Sequence, residues 1–147
     1  MGSLLSTVKQ KTSPSTTEKT TTSTMASSTP DTFKHYANAQ TDFTKTLPLI
    51  GNENAFLGDI FSSDRKDNPI SSGFYRLDPG TPLVYTYTYD EMKIIVDGDF
   101  EISDQSGQSV KAAKGDVFFF PKGSVITFKT EKGGLGFYCG QRGKDTA

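Results

Sequence analysis

Two strand-like runs between residues 90 and 123, each bounded by glycine, constrain the fold of this chain more than any other feature. The first begins at Glu91 and ends, after six intervening residues, at the turn residue Gly98. Seventeen residues later Gly115 opens the second, an aromatic run closed by the turn Pro121-Lys122-Gly123. Short β-branched and aromatic runs that end in Gly, Pro or Asp are typical of strands in all-β proteins.

The chain from residue 55 onward repeats this pattern of short strands and turns. Clusters of Gly, Pro, Asp and Asn separate the strand-like segments, and no long helical period interrupts them. The predicted strands are 55–61, 73–77, 83–89, 92–96, 100–103, 108–112, 117–120, 125–130 and 135–141. This succession predicts an antiparallel sandwich or barrel, which at this size can enclose one small ligand.

The spacings of the two runs resemble those of the two cupin motifs. The first motif reads His-x-His, three or four residues, Glu, six residues, Gly; the second reads Gly, five residues, Pro-x-Gly, two residues, His. Glu91 and Gly98 match the end of the first motif, and Gly115 and Pro121 match the start of the second. The histidine places hold other residues: Tyr85 and Tyr87 (or, with the longer spacing, Val84 and Thr86) and Ile126.

The missing histidines decide what this barrel could bind. Borderline divalent ions need imidazole or thiolate ligands, and of the motif's ligands only Glu91 is present. The single histidine, His35, lies far upstream, and the single cysteine, Cys139, has no partner at ligand spacing. The sequence therefore predicts no metal and no other cofactor, and it predicts a buried, inert thiol at Cys139.

A finer resemblance rests on four short segments: Thr88-Tyr89-Asp90-Glu91, Gly115-Asp116-Val117, Pro121-Lys122-Gly123-Ser124 and Gly136-Phe137-Tyr138. Within about residues 70–142 the chain resembles the EutQ-like cupins of ethanolamine utilisation. The resemblance implies a jelly-roll barrel and a homodimer formed through sheet pairing. For the bacterial members it also implies a link to ethanolamine breakdown and an acetate kinase activity. The Ser/Thr-rich leader is more typical of a eukaryotic, fungal single-domain version.

Composition divides the chain unevenly. The first 30 residues contain 16 Ser or Thr and none of the 17 aromatic residues, the first of which is Phe33. Such a segment cannot offset the roughly 1–2 kcal/mol per residue that ordering a backbone costs. We predict a disordered tail over 1–30, a short N-terminal arm or helix over 31–54, a single all-β, cupin-type jelly-roll barrel over 55–142 and a flexible C-terminus over 143–147.

Charge and hydropathy exclude several classes of partner. The net charge is −1, with no clustered positive face of the kind that nucleic acid requires. No apolar stretch approaches the roughly 18 residues of a membrane span, and the N-terminus lacks the apolar core of a secretory signal, which favours the cytoplasm. The opening Met1-Gly2 fits the N-myristoylation pattern, and Met25 is an alternative start.

Strand alternation predicts which side chains face the barrel interior. Tyr85, Tyr87 and Tyr89 share one face of their strand, and Glu91 shares a face with Lys93, which the cupin register turns inward. We predict Glu91 as a general base, Lys93 as its electrostatic partner and Tyr87 as a proton donor. Tyr85 and Tyr89 are predicted to contact the ligand. The alternative is a structural ion pair in an aromatic wall.

Two further side chains are candidates for ligand binding. Arg76 could face the ligand from its strand and bind a carboxylate. Phe119 could serve as a stacking residue, although the aromatic run of residues 118–120 is also what core packing between sheets requires.

Three functions are open at this point. The first is a metal-independent enzyme that isomerises, dehydrates or cyclises a small oxygenated metabolite by acid–base catalysis, in a pathway of secondary metabolism. In that case Glu91→Gln should abolish turnover and leave the melting temperature nearly unchanged. The second is a non-catalytic module that binds a small ligand or assembles as a dimer. The third is an acetate-kinase-type activity, as in the bacterial EutQ proteins.

Overall fold

The computed structural model describes residues 32–147 of the chain; the tail predicted over residues 1–30 lies outside the described residues. The described part contains one short α-helix, α1 (Ala39–Asp42), a 3-10 turn (Phe43–Thr46) and eight β-strands. The strands are β1 (Ala55–Ser62), β2 (Ser71–Leu77), β3 (Leu83–Thr86), β4 (Glu91–Asp104), β5 (Ser109–Ala113), β6 (Val117–Phe120), β7 (Val125–Lys129) and β8 (Gly134–Gly140). Over this same range, no helix has the length and apolar character needed to cross a membrane.

The strands form two antiparallel layers that share one long strand. One layer has the order β1-β2-β8-β4-β6, and the other has the order β3-β7-β4-β5. β4 belongs to both layers because its first half pairs with β6 and β8, and its second half pairs with β5 and β7. The shared strand curls the whole into a jelly-roll barrel, which confirms the predicted all-β fold class.

β4 differs from the prediction because it is one strand and not two. The sequence predicted an end at Val96 and a new strand at Phe100. In the structure the pairing with β8 shifts register between Ile95 and Asp97, and Gly98 adopts a φ of 68°. A bulge with a glycine in the left-handed region bends a strand without ending it. The turn signal in the sequence therefore marks the bend at which β4 passes between layers.

The core lies between the two layers and is built from alternate residues of the strands. Aromatic rings dominate it: Tyr75 lies 5.4 Å from Phe128 and stacks on Phe100 at 6.0 Å. Burying each large apolar side chain contributes roughly 1.5–3 kcal/mol. The buried apolar cluster comprises Ala55, Tyr75, Leu77, Leu83, Tyr87, Tyr89, Ile95, Phe100, Ile102, Ala112, Phe120, Ile126, Phe128 and Tyr138.

The segment before β1 covers the outer face of β1 and β2. The Phe43 ring lies 6.4 Å from the Phe74 ring, Leu47 is buried, and Leu49 forms an isolated bridge with Phe56. These contacts explain why Phe74 is buried although it points away from the barrel interior. The opposite end of this layer, around β4 and β6, keeps an exposed apolar face.

Candidate functional site

The inner face of β4 carries a buried ion pair. Because successive side chains alternate along a strand, Glu91 and Lys93 point inward, whereas Met92 between them is 62% exposed. The side chains of Glu91 and Lys93 are 1% and 3% exposed, and Lys93 Nζ lies 3.0 Å from Glu91 Oε1. Burying either charge alone would cost several kcal/mol, so each side chain requires the opposite charge of the other to compensate its desolvation.

Space for this pair comes from the glycine-rich strand β8. A Cβ atom on Gly136 would come within 3.0 Å of Lys93 Cδ. On Gly140 it would come within 2.9 Å of the Tyr89 ring and 3.5 Å of Glu91 Oε2. Glycine is the residue that permits such close approach. These glycines therefore make room for the charged side chains opposite them.

The three tyrosines at and beyond the end of β3 border the ion pair. Tyr87 donates its hydroxyl hydrogen to Glu91 Oε1 at 2.9 Å, and the Tyr85 and Tyr89 hydroxyls lie 3.1 Å apart. The backbone N–H of Tyr87 donates to the carbonyl oxygen of Ser124, which fixes the segment after the strand ends. Three of the sequence-predicted residues, Tyr87, Glu91 and Lys93, thus touch one another as a chain of polar groups.

The buried phenols remain proton donors. Burial raises the pKa of the Tyr87 hydroxyl, and the Glu91 carboxylate raises it further through its charge and its hydrogen bond. Burial likewise raises the pKa of Tyr89, with a further contribution from the hydrogen bond to Tyr85. Both hydroxyls therefore keep their protons at neutral pH, as groups that stabilise a developing oxyanion must.

Aromatic rings surround the Lys93 ammonium. Nζ lies 4.6 Å from the ring centroid of Tyr75, 5.1 Å from that of Phe128, 5.6 Å from that of Tyr138 and 5.8 Å from that of Phe120. Ring faces attract a cation within about 6 Å. The ammonium is thus stabilised by one carboxylate and by several π faces.

A narrow cavity opens onto these groups. Its volume of ≈ 10 Å³ is about the room for one water molecule. It is lined by Ile50, Leu57, Tyr75, Leu83, Tyr85, Tyr87, Tyr89, Glu91, Lys93 and Phe128. Apolar walls with a few convergent polar groups are typical of small-molecule sites, and an occupant larger than one water molecule requires the side chains that line the cavity to move apart.

Two of the predicted ligand-binding residues lie elsewhere. The Arg76 side chain forms an ion pair with Asp78 at 3.1 Å, donates to the Thr44 carbonyl oxygen and stacks over Phe56. Phe119 is 57% exposed on the outer face of β6. The structure does not bring either residue to the cavity, because each side chain is on the outward-facing side of its strand.

Cys139 also points outward. It pairs with Met92 across β4 and β8 and is exposed. The prediction of a buried thiol is wrong because the inward position of this part of β8 belongs to its neighbour, Tyr138.

Tyr75 is a cavity residue that the sequence reasoning missed. It is 1% exposed, it lines the cavity, and its hydroxyl has no hydrogen-bond partner among the described residues. Strand alternation along β2 places Tyr75 and its neighbour Arg76 on opposite faces, but it does not show which of the two faces is the inner one.

A second buried ion pair, also missed, ties β1 to the residues after β8. Arg142 Nη1 and Nη2 each lie 2.7 Å from an Asp59 carboxylate oxygen. The Tyr138 hydroxyl and the backbone N–H of Asp145 donate to the same carboxylate at 2.6 and 2.7 Å. The Arg142 guanidinium lies 5.4 Å from the Tyr89 ring, so this network borders the first site. Flexibility of residues 143–147 stays a prediction.

The donor set at the motif positions does not fit a transition-metal ion. Lys93 Nζ already neutralises the Glu91 carboxylate, Tyr87 is a neutral phenol, and Ile126 is a buried apolar side chain. Within residues 32–147, no three His, Cys, Asp or Glu side chains converge as a metal site would require. Such ions bind imidazole, thiolate or several carboxylates, and only one carboxylate is at hand here.

A jelly roll whose inner wall carries the motif glutamate defines a cupin barrel. A cupin superfamily protein from Desulfitobacterium hafniense has the same fold, with a TM-score of 0.51 at 14% identity over 64% of this chain and 83% of that chain. The chain belongs to the family of the ethanolamine utilisation protein EutQ, whose sequence profile matches residues 5–139.

The similarity to individual EutQ proteins covers only part of each chain. The acetate kinase EutQ of Salmonella typhimurium is 31% identical over 68 residues, which are 46% of this chain and 29% of that protein. The crystal structure of the ethanolamine utilization protein EutQ from the same organism has a TM-score of 0.53 at 27% identity, covering 61% of this chain and 71% of that chain. The match thus spans less than a third of the curated relative's length.

Proposed function

We propose that this protein is a metal-independent cupin enzyme that acts on a small oxygenated metabolite by general acid–base catalysis, as an isomerase, lyase or cyclase. The observation that carries the proposal is the Glu91 carboxylate, buried in a narrow cavity between the Lys93 ammonium and the Tyr87 phenol. A buried carboxylate with a specific charged partner in a cavity that also presents other polar groups is a candidate catalytic site.

The geometry gives each group a role. Glu91 removes a proton from a carbon next to a carbonyl, and the Lys93 ammonium stabilises the negative charge that develops on the carbonyl oxygen. Tyr87 orients Glu91 through its hydrogen bond. The positive charge that a metal supplies in other barrels is here supplied by a lysine. A positioned base contributes roughly 10²–10⁴ in rate.

Hydrogen–deuterium exchange of hydroxyacetone in D₂O, followed by proton NMR, tests the proposal. The wild type should accelerate exchange at the carbons next to the carbonyl, and Glu91→Gln should slow it by about 10²–10⁴ because the base is lost. Glu101→Gln, which removes a half-exposed carboxylate from the same strand, should exchange as the wild type does. Tyr87→Phe keeps the ion pair and should give an intermediate rate.

Two results would contradict acid–base catalysis at this site. One is exchange by a folded Glu91→Gln variant at the wild-type rate. The other is a folded wild type that leaves the exchange rate of hydroxyacetone and of other small ketones at its value in buffer.

The names of the curated relatives favour a second candidate, an acetate-kinase-type activity. Phosphoryl transfer needs a cradle for the nucleotide and ligands for Mg²⁺. Calorimetric titration with ATP and Mg²⁺ tests this entry requirement: saturable binding would support the kinase candidate, and its absence would remove it.

We further propose that the protein is a homodimer that associates through the outer face of β4 and β6. Four apolar side chains lie together there, since Met92 pairs with Phe119 and Ile94 with Val117 across the strands. They are between 36% and 69% exposed. A contiguous apolar face of this kind marks an interaction surface. Because β6 is the outermost strand of its layer, a second copy can approach the same face by two-fold symmetry.

Light scattering after gel filtration checks the dimer. The wild type should have twice the 16.0 kDa mass of one chain, and Val117→Lys/Phe119→Lys should be monomeric because charge then replaces the apolar contact. Thr86→Lys/Thr88→Lys, at exposed positions on another surface, should remain dimeric. A monomeric wild type at micromolar concentration would contradict the proposal.

A further inference from the structure

Lys93 has the surroundings of a nucleophilic amine as well as those of a structural cation. In an apolar pocket a carboxylate stabilises the resting ammonium of a lysine, and it is also the base that takes up the proton when the amine attacks a carbonyl carbon. Here the transfer distance is 3.0 Å, from Nζ to Glu91 Oε1, and the rest of the surroundings is aromatic.

The cavity also holds a hydrogen-bonding group without a partner. Tyr75 is almost fully buried, lines the cavity beside Lys93, and its hydroxyl makes no hydrogen bond within the described residues. An unsatisfied buried hydroxyl is costly, so such groups usually find a partner when the site is filled. Burial, reinforced by the Glu91 charge, raises the pKa of Tyr75. This hydroxyl therefore keeps its proton and can donate a hydrogen bond to an oxygen atom of a ligand.

We propose that Lys93 forms an imine with a small aldehyde or ketone bound in this cavity, with the carbonyl oxygen held by the Tyr75 hydroxyl. This inference rests on the proposed function, since it uses the same site and the same carbonyl substrates, and it gives Lys93 a covalent role in place of the electrostatic one.

The chemistry balances within the site. Lys93 passes a proton from Nζ to Glu91, and the freed lone pair forms a C–N bond as the carbonyl π bond breaks. The oxygen takes up one of the two protons left on the nitrogen, which gives a carbinolamine. Glu91 then returns its proton to that hydroxyl, the C–O bond breaks, water leaves and the C=N bond forms. The products are a protonated imine on Lys93, a carboxylate on Glu91 and one water molecule.

Charge conservation makes this step suitable for a buried site. Before the reaction an ammonium faces the Glu91 carboxylate, and afterwards an iminium faces it, so the site never buries an uncompensated charge. The iminium can also draw electrons from the adjacent carbon, which makes that carbon's proton easier for Glu91 to remove. The imine thus supplies the activation that the acid–base chemistry needs.

Reduction with sodium borohydride traps such an imine as a stable secondary amine. Full-length protein is incubated with acetone or hydroxyacetone, reduced, digested and mapped by mass spectrometry. We expect Lys93 to be alkylated at least ~10-fold more than Lys129, whose half-exposed ammonium faces Glu101 at 3.6 Å and so provides a matched surface pair. Lys93→Arg should abolish the preferential labelling, and Lys129→Met should leave Lys93 labelled as before.

Labelling of Lys93 no greater than that of Lys129 in the wild type would overturn the inference. If Glu91-dependent proton exchange is then still present, acid–base catalysis stands and only the imine fails. If Lys93 is trapped but the exchange does not depend on Glu91, the imine stands and the proposed base is wrong.

Discussion

Replacing Glu91 by Gln should lower the free energy of unfolding by about 3–5 kcal/mol, because it leaves the Lys93 ammonium buried without its countercharge. Lys93 is 3% exposed and has its carboxylate partner at 3.0 Å, so water cannot replace the lost charge. The shape of the side chain hardly changes, which isolates the electrostatic effect. Urea unfolding of the variant and the wild type measures the difference. From the sequence we expected Glu91→Gln to leave the melting temperature nearly unchanged, whereas the buried ion pair leads us to expect a lower melting temperature.

Two further variants test whether the loss of stability in Glu91→Gln comes from the uncompensated charge of Lys93. Glu91→Gln/Lys93→Met removes both charges and should recover most of the lost stability, because replacing a buried pair by apolar groups is often neutral or stabilising. Glu101→Gln breaks the half-exposed pair with Lys129 and should cost only about 0–1 kcal/mol. If Glu91→Gln costs no more than Glu101→Gln, the ion pair is not buried as described.

The second large effect is expected at the Asp59–Arg142 network. Asp59→Asn should cost about 3–5 kcal/mol at neutral pH, since it leaves a guanidinium buried that has lost its bidentate partner. The side chains of Arg142 and Asp59 are 3% and 1% exposed. Asp42→Asn, in a surface pair with Lys45, is the matched control and should cost about 0–1 kcal/mol.

This network should also make the free energy of unfolding decrease at acidic pH. Burial alone raises the pKa of Asp59, but the hydrogen bonds from Arg142, Tyr138 and the Asp145 N–H outweigh it and hold the pKa below its ordinary value of 3.8. The unfolded chain therefore binds the proton more readily than the folded one. The stabilisation is fully present above pH 3.8 and is lost as the pH falls through the lower folded pKa.

Unfolding measured between neutral pH and about pH 2 checks the sign of this linkage. The stability gap between the wild type and Asp59→Asn should be largest at neutral pH and should close on acidification. A gap that stays constant, or widens, as the pH falls would show that Asp59 is not the group responsible.

Local pattern was enough to predict part of the fold and of the site. Strand alternation depends only on neighbouring residues, so the face that Glu91 shares with Lys93 and the face that Tyr85, Tyr87 and Tyr89 share follow from the sequence. That Glu91 and Lys93 point inward came from the resemblance to the cupin motif. Turn chemistry located the bend at Gly98, although it could not show that β4 continues through it. A bulge and a turn use the same glycine conformation.

Contacts between distant parts of the chain could not be predicted in this way. Asp59 and Arg142 are 83 residues apart, and no local pattern pairs them. Arg76 looked like the ligand-binding residue of β2, whereas Tyr75 beside it lines the cavity. The choice between them needs the register of β2 against β8, which only the assembled barrel supplies.

In the proposed site the cationic partner of Glu91 is the Lys93 ammonium and no metal ion. Metal analysis of the purified wild type and of Glu91→Gln, after growth with added iron, manganese, nickel and zinc, tests this most directly. We predict far less than one equivalent of any transition metal in both proteins. One equivalent of metal in the wild type that Glu91→Gln loses would contradict the account.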